Sequence, residues 1–313
     1  MSETTTSISL ALGSGGARGL AHIGVIRRLE EAGYNIGYIA GTSIGALVGG
    51  IYAAGKLDEY EVWARELERG DMLRLLDFSF TRGSIIKGDR VIDAICELIG
   101  DQSIESLPIG FTAVATDIRE QSEVWLSRGS LFSAIRASTA IPTLLSPLTL
   151  DGRILADGGL VNPIPIAPTL NHPSTLTVAV DLNGPREGLR HNPKKDSKGE
   201  NGPEKPIKPY QQKIRAFIDK LRPNKDGEPK TDSPGFLDMT TQTIEVMQNG
   251  IARLKMAAYK PDMVIRLPRD LCQFWEFDRA EEMIEFGYER AGQTIAAFER
   301  KPDPTPAFGS ESD

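Results

Sequence analysis

A serine between two glycines is the strongest chemical signal in this chain of 313 residues. The stretch Gly41–Gly45 reads Gly-Thr-Ser-Ile-Gly, and it follows an apolar run, Ile36–Ala40, that predicts a short buried strand. The apolar residues of Ala46–Ala54 predict a helix directly after it. This context is typical of a nucleophile elbow, in which flanking glycines permit a tight turn and the serine hydroxyl stands exposed. We therefore predict that Ser43 is a nucleophile.

A glycine-rich segment, Gly13–Gly19, is the second candidate element. It follows the strand-like run Ile8–Leu12 and opens a predicted helix, Leu20–Glu31. Such a turn directs unpaired backbone N–H groups toward an anion. It suits an oxyanion hole or a phosphate cradle, and the residues alone leave both interpretations open.

The third element is a carboxylate. Asp157 follows the apolar pair Ile154 and Leu155 and precedes two glycines, Gly158 and Gly159. A carboxylate held at such a turn is a candidate general base for a serine, and we expect it to be buried, because a solvated carboxylate is a weak base.

An ordinary serine hydrolase would use a histidine as this base, and the chain contains three histidines. His22 lies in the first predicted helix and is expected to be structural, while His191 lies in a charged stretch that is rich in proline and glycine. The order Ser43, Asp157, His172 would suit an α/β-hydrolase. Only two predicted strands precede Ser43, however, so we favour a direct pair of Ser43 and Asp157.

The motifs and their order resemble those of the patatin-like phospholipases, in the branch related to the esterase domain of neuropathy target esterase. The resemblance covers Ile8–Leu170 and extends to Asn162–Pro165 and Val178–Leu182. It rests on four ordered motifs: Gly15–Gly19, Gly41–Gly45, Ala137–Pro142 and Asp157–Gly159.

This resemblance implies an α/β protein with a patatin-like three-layer α/β/α fold and a mainly parallel central sheet. It implies that Ser43 is the nucleophile and Asp157 its base. The oxyanion hole would be formed by the backbone amides of Gly15 and Gly16, with the Arg18 amide assisting.

Three further details accompany this assignment. Gly158 and Gly159 would form the loop that carries the base. The side chain of Arg18 has an alternative role, which is to brace the glycine-rich turn. The chain departs from the family pattern at Ser14, where a glycine is usual.

Composition and charge narrow the class of partner. The net charge of −7 argues against a nucleic-acid partner. No apolar run is long enough to span a bilayer, and Met1–Ser7 lacks a signal-peptide pattern, so we expect a cytoplasmic protein whose contact with a membrane surface is transient, apolar and local. Cys96 and Cys272 are expected to be reduced. We expect no metal and no other cofactor; nothing in the sequence fixes the oligomeric state.

We predict a catalytic region over residues 8–182, with core motifs at 13–170. A mobile insert that is rich in Pro, Gly and charge, and that contains one helix, is predicted over 183–235, with a lid or a partner-docking segment as the alternative. Residues 236–300 complete the same domain, and 301–313 form a disordered tail. Helices are predicted at Leu57–Arg69, Gly88–Ile99, Leu131–Ala137, Tyr210–Leu221, Phe236–Tyr259 and Arg279–Arg300, and strands at Ile109–Ala115, Ser122–Leu126, Leu176–Asp181 and Met263–Leu267.

The resemblance implies a substrate that is a carboxylic ester with an acyl chain, such as a lysophospholipid, a phospholipid or a related acyl ester. Met72–Phe80 is expected to pack in the core, with an acyl groove or contact with a membrane interface as the alternatives. Two other classes of function stay open at this point. One is a nucleotide-binding protein that uses Gly13–Gly19 as a phosphate cradle, and the other is a regulatory or scaffold protein with little turnover.

Overall fold

The computed structural model describes residues 6–66, 95–96, 100–142, 145–188 and 236–300. Its strands form one sheet of eight. The strands are β1 (Thr6–Leu12), β2 (Tyr34–Thr42), β3 (Gly110–Asp117), β4 (Ser122–Leu126), β5 (Leu148–Leu150), β6 (Arg153–Asp157), β7 (Leu176–Gly184) and β8 (Met263–Pro268).

The order of strands across the sheet is β5-β6-β3-β2-β1-β7-β8, and β4 pairs with β3 off this path. The central pairs β3–β2, β2–β1, β1–β7 and β7–β8 are parallel. The pairs β3–β4, β3–β6 and β5–β6 are antiparallel. The carboxyl ends of β1, β2, β7 and β8 therefore lie at one edge of the sheet, where α/β proteins build their sites.

Helices pack on both faces of this sheet. The described helices are α1 (Ala21–Glu31), α2 (Ile44–Ala53), α3 (Leu57–Glu66), α4 (Leu131–Ser138), α5 (Phe236–Tyr259) and α6 (Ala280–Glu299), and a 3-10 turn, Gly16–Leu20, precedes α1.

The alternation of side chains along β1 divides the core into two parts. Leu10 and Leu12 face a large cluster that contains the buried residues of α1, α2 and α6. Ala11, between them, faces a smaller cluster that includes Ala252 of α5. The sheet is thus the middle layer of a three-layer α/β/α fold, as the resemblance implied.

Most elements predicted within the described residues are present. Ser122–Leu126 and Phe236–Tyr259 have the predicted bounds, while β7 extends to Gly184, beyond the predicted end of its strand. The predicted helix from Leu20 is shorter, because the residues up to Leu20 form the 3-10 turn.

The β5–β6 hairpin was not predicted, since strands of three and five residues carry little periodicity. The predicted helices Gly88–Ile99 and Tyr210–Leu221, the segment Met72–Phe80 and the tail 301–313 lie outside the described residues, apart from Ile95 and Cys96.

The chain divides into two compact units. One contains Met1–Leu189 and Ile244–Asp313, and the other contains Arg190–Thr243. Ser43, Asp157, the glycine-rich turn and the part of α5 from Ile244 onward belong to the first unit.

Candidate active site

Ser43 occupies a sharp turn between β2 and α2. Its backbone angles are φ 57° and ψ −127°, a region that residues other than glycine rarely adopt and that costs about 1–3 kcal/mol. The two flanking glycines are required by close backbone contacts: a Cβ on Gly41 would lie 2.4 Å from the Gly45 carbonyl oxygen, and one on Gly45 would lie 2.2 Å from that of Leu12. The strained turn is held by tight packing at both sides.

Ser138, at the end of α4, supports this turn. Its Oγ accepts a hydrogen bond from the Ser43 N–H at 2.9 Å and donates one to the Val114 carbonyl at 2.6 Å. Ser138 lies in the family motif Ala137–Pro142, and the sequence alone assigned it no role. A hydroxyl can accept and donate at once, which is why serine suits a position between a buried amide and a buried carbonyl.

The hydroxyl of Ser43 donates a hydrogen bond of 2.6 Å to Oδ2 of Asp157. Both residues are 5% exposed. The predicted pair is therefore in contact, and Asp157 is buried, as the argument for a carboxylate base required.

The register of β3 explains how these residues meet. Val114 pairs with Thr42, the residue before Ser43, in the parallel ladder. The next residue, Ala115, pairs with Asp157 in the antiparallel ladder of β3 and β6. Because β2 and β6 run in opposite directions beside β3, their carboxyl ends approach each other, and each ends in one member of the pair.

Several hydrogen bonds fix the orientation of Asp157. Oδ1 accepts the Gly159 N–H at 2.7 Å, which leaves Oδ2 to face Ser43. The Asp157 N–H donates to the Ala140 carbonyl at 2.8 Å, and the Thr116 hydroxyl donates to the Asp157 carbonyl at 2.8 Å. The backbone and the carboxylate are thus both held, and only Oδ2 is directed at the serine.

Burial changes the acidity of this carboxyl group. Desolvation raises the pKa of Asp157 from 3.8 to about 6, and the hydrogen bonds from Ser43 and Gly159 oppose that rise only in part. A carboxylate with a pKa near 6 is a stronger base than one in water and is still ionised at neutral pH.

The glycine-rich turn follows β1, and β1 lies beside β2 in the sheet. Within the described residues the backbone N–H groups of Gly15 and Gly16 have no hydrogen-bond acceptor, whereas those of Gly13 and Ser14 donate to carbonyls of Val180 and Pro163. Gly16 has φ +57° and no room for a side chain, since a Cβ would lie 2.5 Å from the Phe274 ring. Two neighbouring amides are thus free to bind an oxyanion.

The Arg18 side chain braces the same turn. Its Nε donates to the Gly15 carbonyl at 3.1 Å, and its terminal nitrogens donate to the Arg269 carbonyl at 2.6 Å and to Oδ1 of Asn183 at 3.1 Å. Glu245 of α5 lies 3.6 Å from the guanidinium group. The guanidinium group therefore has the bracing role that the sequence analysis gave as its alternative.

Ser14 and Gln248 border the loop that carries Asp157. A Cβ added to Gly159 would lie 3.2 Å from Ser14 Oγ and 2.9 Å from the side-chain nitrogen of Gln248. A side chain at Gly159 would thus disturb the contact between Asp157, the glycine-rich turn and α5. Gly158 is equally confined, because its Cβ would lie 2.1 Å from the Val114 carbonyl oxygen.

Neither of the two described histidines hydrogen-bonds to Ser43 or Asp157. Nε2 of His22 donates to the Gly13 carbonyl at 2.9 Å, and burial lowers the pKa of this imidazole to about 4. His172 packs against Gly37 and stacks on Tyr38. Gly37 lies in the first half of β2 and Ser43 just beyond its end, a distance of roughly 20 Å along a strand. His191 is outside the described residues.

No group of three or more His, Cys, Asp or Glu side chains that could hold a metal ion occurs within the described ranges. Among the described helices, none has the length and apolar character that crossing a bilayer requires.

Comparison with known proteins defines the class to which this fold and site belong. The family model for patatin-like phospholipases matches residues 10–170. The chain belongs to the patatin-like phospholipase family, which suggests a lipid acyl hydrolase. Its relatives place it, within that family, in the branch of neuropathy target esterase.

Those relatives include an uncharacterised NTE family protein of Mycobacterium bovis, which is 38% identical over 97% of this chain and 96% of that protein. Neuropathy target esterase sws of Drosophila melanogaster is 33% identical over 57% of this chain and 13% of that much longer protein. Among solved structures, VipD of Legionella pneumophila aligns with 94% of this chain and 67% of its own, at 13% identity and a TM-score of 0.45.

Proposed function

We propose that the protein is a serine esterase that hydrolyses lipid acyl esters, such as lysophospholipids or phospholipids, through a dyad of Ser43 and Asp157. The observation that carries the proposal is the hydrogen bond from Ser43 Oγ to the buried carboxylate of Asp157. A nucleophile and a base with a raised pKa are in contact, and no third residue is needed between them.

In the acylation step, Ser43 Oγ attacks the carbonyl carbon of the ester while its proton passes to Oδ2 of Asp157. The carbonyl oxygen becomes an oxyanion. When the tetrahedral intermediate collapses, the bond from carbon to the alcohol oxygen breaks, and the leaving alcohol takes the proton from Asp157. Ser43 is left as an acyl ester.

Deacylation repeats these steps with water. Asp157 accepts a proton from the water as it attacks the acyl carbon, and the proton returns to Ser43 Oγ when the carboxylic acid leaves. The same carboxylate thus serves as base and then as acid in each half of the reaction.

The developing oxyanion would be bound by the amides of Gly15 and Gly16, with the Arg18 amide assisting. The free N–H groups of Gly15 and Gly16, and the close packing of the turn against Phe274, support this assignment. A donor pair that is fixed before the substrate arrives does not have to reorganise during the reaction.

A transient contact with a lipid surface is part of the same proposal, and α5 supports it. From Ile244 to Ala258, the exposed positions of this helix are Val246, Met247, Arg253, Leu254, Ala257 and Ala258. Val246, Met247 and Leu254 are 70%, 59% and 72% exposed. Five of these six residues are apolar, which is the pattern of a helix face that inserts into the interfacial region of a bilayer.

The exposed face of α6 is a contrast within the same unit. It contains Glu281, Glu282, Glu285, Glu289, Gln293, Ala297 and Glu299. Such a face suits solvent, whereas the exposed α5 face is apolar, and on the inward side of the same helix Gln248 borders the loop of Asp157. We infer that α5 faces the lipid surface and brings the site close to the ester.

A screen of the purified full chain against p-nitrophenyl butyrate, monoacylglycerol and lysophospholipids tests the proposal. We expect hydrolysis of at least one ester, and a loss of at least ~10³-fold in Ser43→Ala. Ser106→Ala, which removes an exposed serine hydroxyl outside the site, should retain wild-type rates.

Turnover that survives in Ser43→Ala at near wild-type rate would contradict the dyad. No turnover of any ester by the wild type would instead favour a regulatory or scaffold protein on the same fold. Thermal melts of each variant separate loss of activity from loss of structure.

A further inference from the structure

A cavity of about 410 Å³ lies at the carboxyl ends of β7 and β8, beside α5. Its lining contains four arginines and one carboxylate: Arg186, Arg253, Arg266, Arg269 and Asp181. The chain as a whole carries a net charge of −7, so this local excess of positive charge runs against the composition. The volume lies in the usual range of small-ligand sites.

The four guanidinium groups have no hydrogen bond or ion pair with any described residue. Arg266 and Arg269 are engaged through their backbone carbonyls, which accept from Arg290 and Arg18. Asp181 is buried and accepts the Asn183 N–H, and Arg266 is the lining arginine that acts on its charge. The cavity therefore presents cations whose planar donor groups match phosphate oxygens.

This cavity adjoins the glycine-rich turn, Gly13–Gly19. Asn183, which lines it, donates through Nδ2 to the Ser14 carbonyl and accepts from Arg18. On α5, Asn249 lines the cavity, while its neighbour Gln248 borders the loop of Asp157. The cavity is thus connected to the surroundings of the dyad through the Asn183 side chain and through one turn of α5.

We propose that this four-arginine cavity binds the phosphate group of a phospholipid or lysophospholipid while the acyl ester lies at Ser43. The proposal rests on the proposed function and narrows it to lipids that carry phosphate. Two or more guanidinium groups would share the phosphate oxygens, and neutral acylglycerols would lack this interaction.

The test compares two substrates that have the same acyl chain, lysophosphatidic acid and monoacylglycerol, both below their critical micelle concentrations. We expect kcat/KM of the wild type to favour lysophosphatidic acid by at least about tenfold. The double variant Arg253→Gln/Arg269→Gln should lose about tenfold on lysophosphatidic acid and stay within about twofold on monoacylglycerol. Arg300→Gln, which removes an exposed arginine at the end of α6, should change neither rate.

A second arm separates a lipid headgroup from free phosphate. Glycerol 3-phosphate should inhibit hydrolysis of lysophosphatidic acid competitively and leave that of monoacylglycerol unchanged. Inorganic phosphate could instead change the rate of monoacylglycerol hydrolysis in the wild type and not in the double variant. That result would identify a separate phosphate effector site and overturn the headgroup assignment.

Calorimetric titration with glycerol 3-phosphate tests the site without turnover. We expect glycerol 3-phosphate to bind both the wild type and Ser43→Ala. Its affinity for the double variant should be at least about tenfold lower. Equal binding by wild type and double variant overturns the site even if esters are hydrolysed. If binding follows the arginines but no ester is hydrolysed, the proposed function fails and the phosphate site stands.

Discussion

Oδ2 of Asp157 accepts a hydrogen bond of 2.6 Å from the hydroxyl of Ser43, although 114 residues separate the two in the sequence. They meet because β2 and β6 approach each other along β3, where consecutive residues pair with Thr42 and Asp157. Oδ1 is bonded to Gly159, so the remaining oxygen faces the serine. The contact allows the role of each residue to be tested separately.

Asp157→Asn should slow the reaction of Ser43 with a fluorophosphonate by at least ~10²-fold, because the amide keeps the shape of the carboxylate but cannot accept the serine proton. Mass spectrometry after equal exposure of both proteins measures the rate and locates the adduct. Asp117→Asn, which changes another buried aspartate of the same sheet, should label at the wild-type rate. Equal labelling of Asp157→Asn, or an adduct on another serine, would refute the pairing.

The pH dependence of kcat/KM on a soluble ester should follow the ionisation of Asp157. Burial raises the pKa of this group to about 6, and only the ionised form can accept the proton. Activity should therefore be low at pH 5, rise through pH 6 and reach a plateau by about pH 7, with the slope of a single ionisation. A profile that stays flat from pH 5 to 8, in a pH-stable protein, would argue against Asp157 as the base.

His172→Ala should retain kcat/KM within about tenfold of the wild type, because the ring lies near the start of β2 and not beside Ser43. The same is expected of His191→Ala, although that residue is outside the described part of the chain. The assay uses p-nitrophenyl butyrate and a thermal melt of each variant. A folded variant that is as inactive as Ser43→Ala would restore a histidine-dependent triad.

Met247→Glu and Leu254→Glu should each reduce hydrolysis of lipid in zwitterionic vesicles by about tenfold or more, because a carboxylate on the exposed α5 face opposes insertion. Hydrolysis of soluble p-nitrophenyl butyrate should stay within about twofold. Gln293→Glu adds the same charge to the exposed face of α6 and should have no effect.

Vesicle flotation provides a direct measure of this contact. Undiminished binding by both α5 variants would contradict a lipid-facing role for the helix. Sedimentation that shows a wild-type dimer and a monomeric Leu254→Glu would instead assign this face to contact between two copies of the chain.

Local sequence pattern predicted much of the fold. Strands such as Ser122–Leu126 and helices such as Phe236–Tyr259 follow from side-chain periodicity, which depends only on neighbouring residues. The glycines of Gly41–Gly45 predicted the elbow, because close backbone approach excludes a Cβ there. The short β5–β6 hairpin was missed, since its strands are defined by pairing with β3 more than by their own pattern.

The sequence by itself determined which groups are available for chemistry: a serine at a tight turn, a carboxylate before two glycines and a turn with free amides. Only the tertiary structure decided that Ser43 and Asp157 touch, that Ser138 holds the serine amide, and that the Arg18 side chain braces the turn. It also gathered four arginines around one cavity: one from α5, one from β8 and one from each of the segments that follow β7 and β8. Such contacts depend on strand register and on packing between distant segments, which local periodicity does not encode.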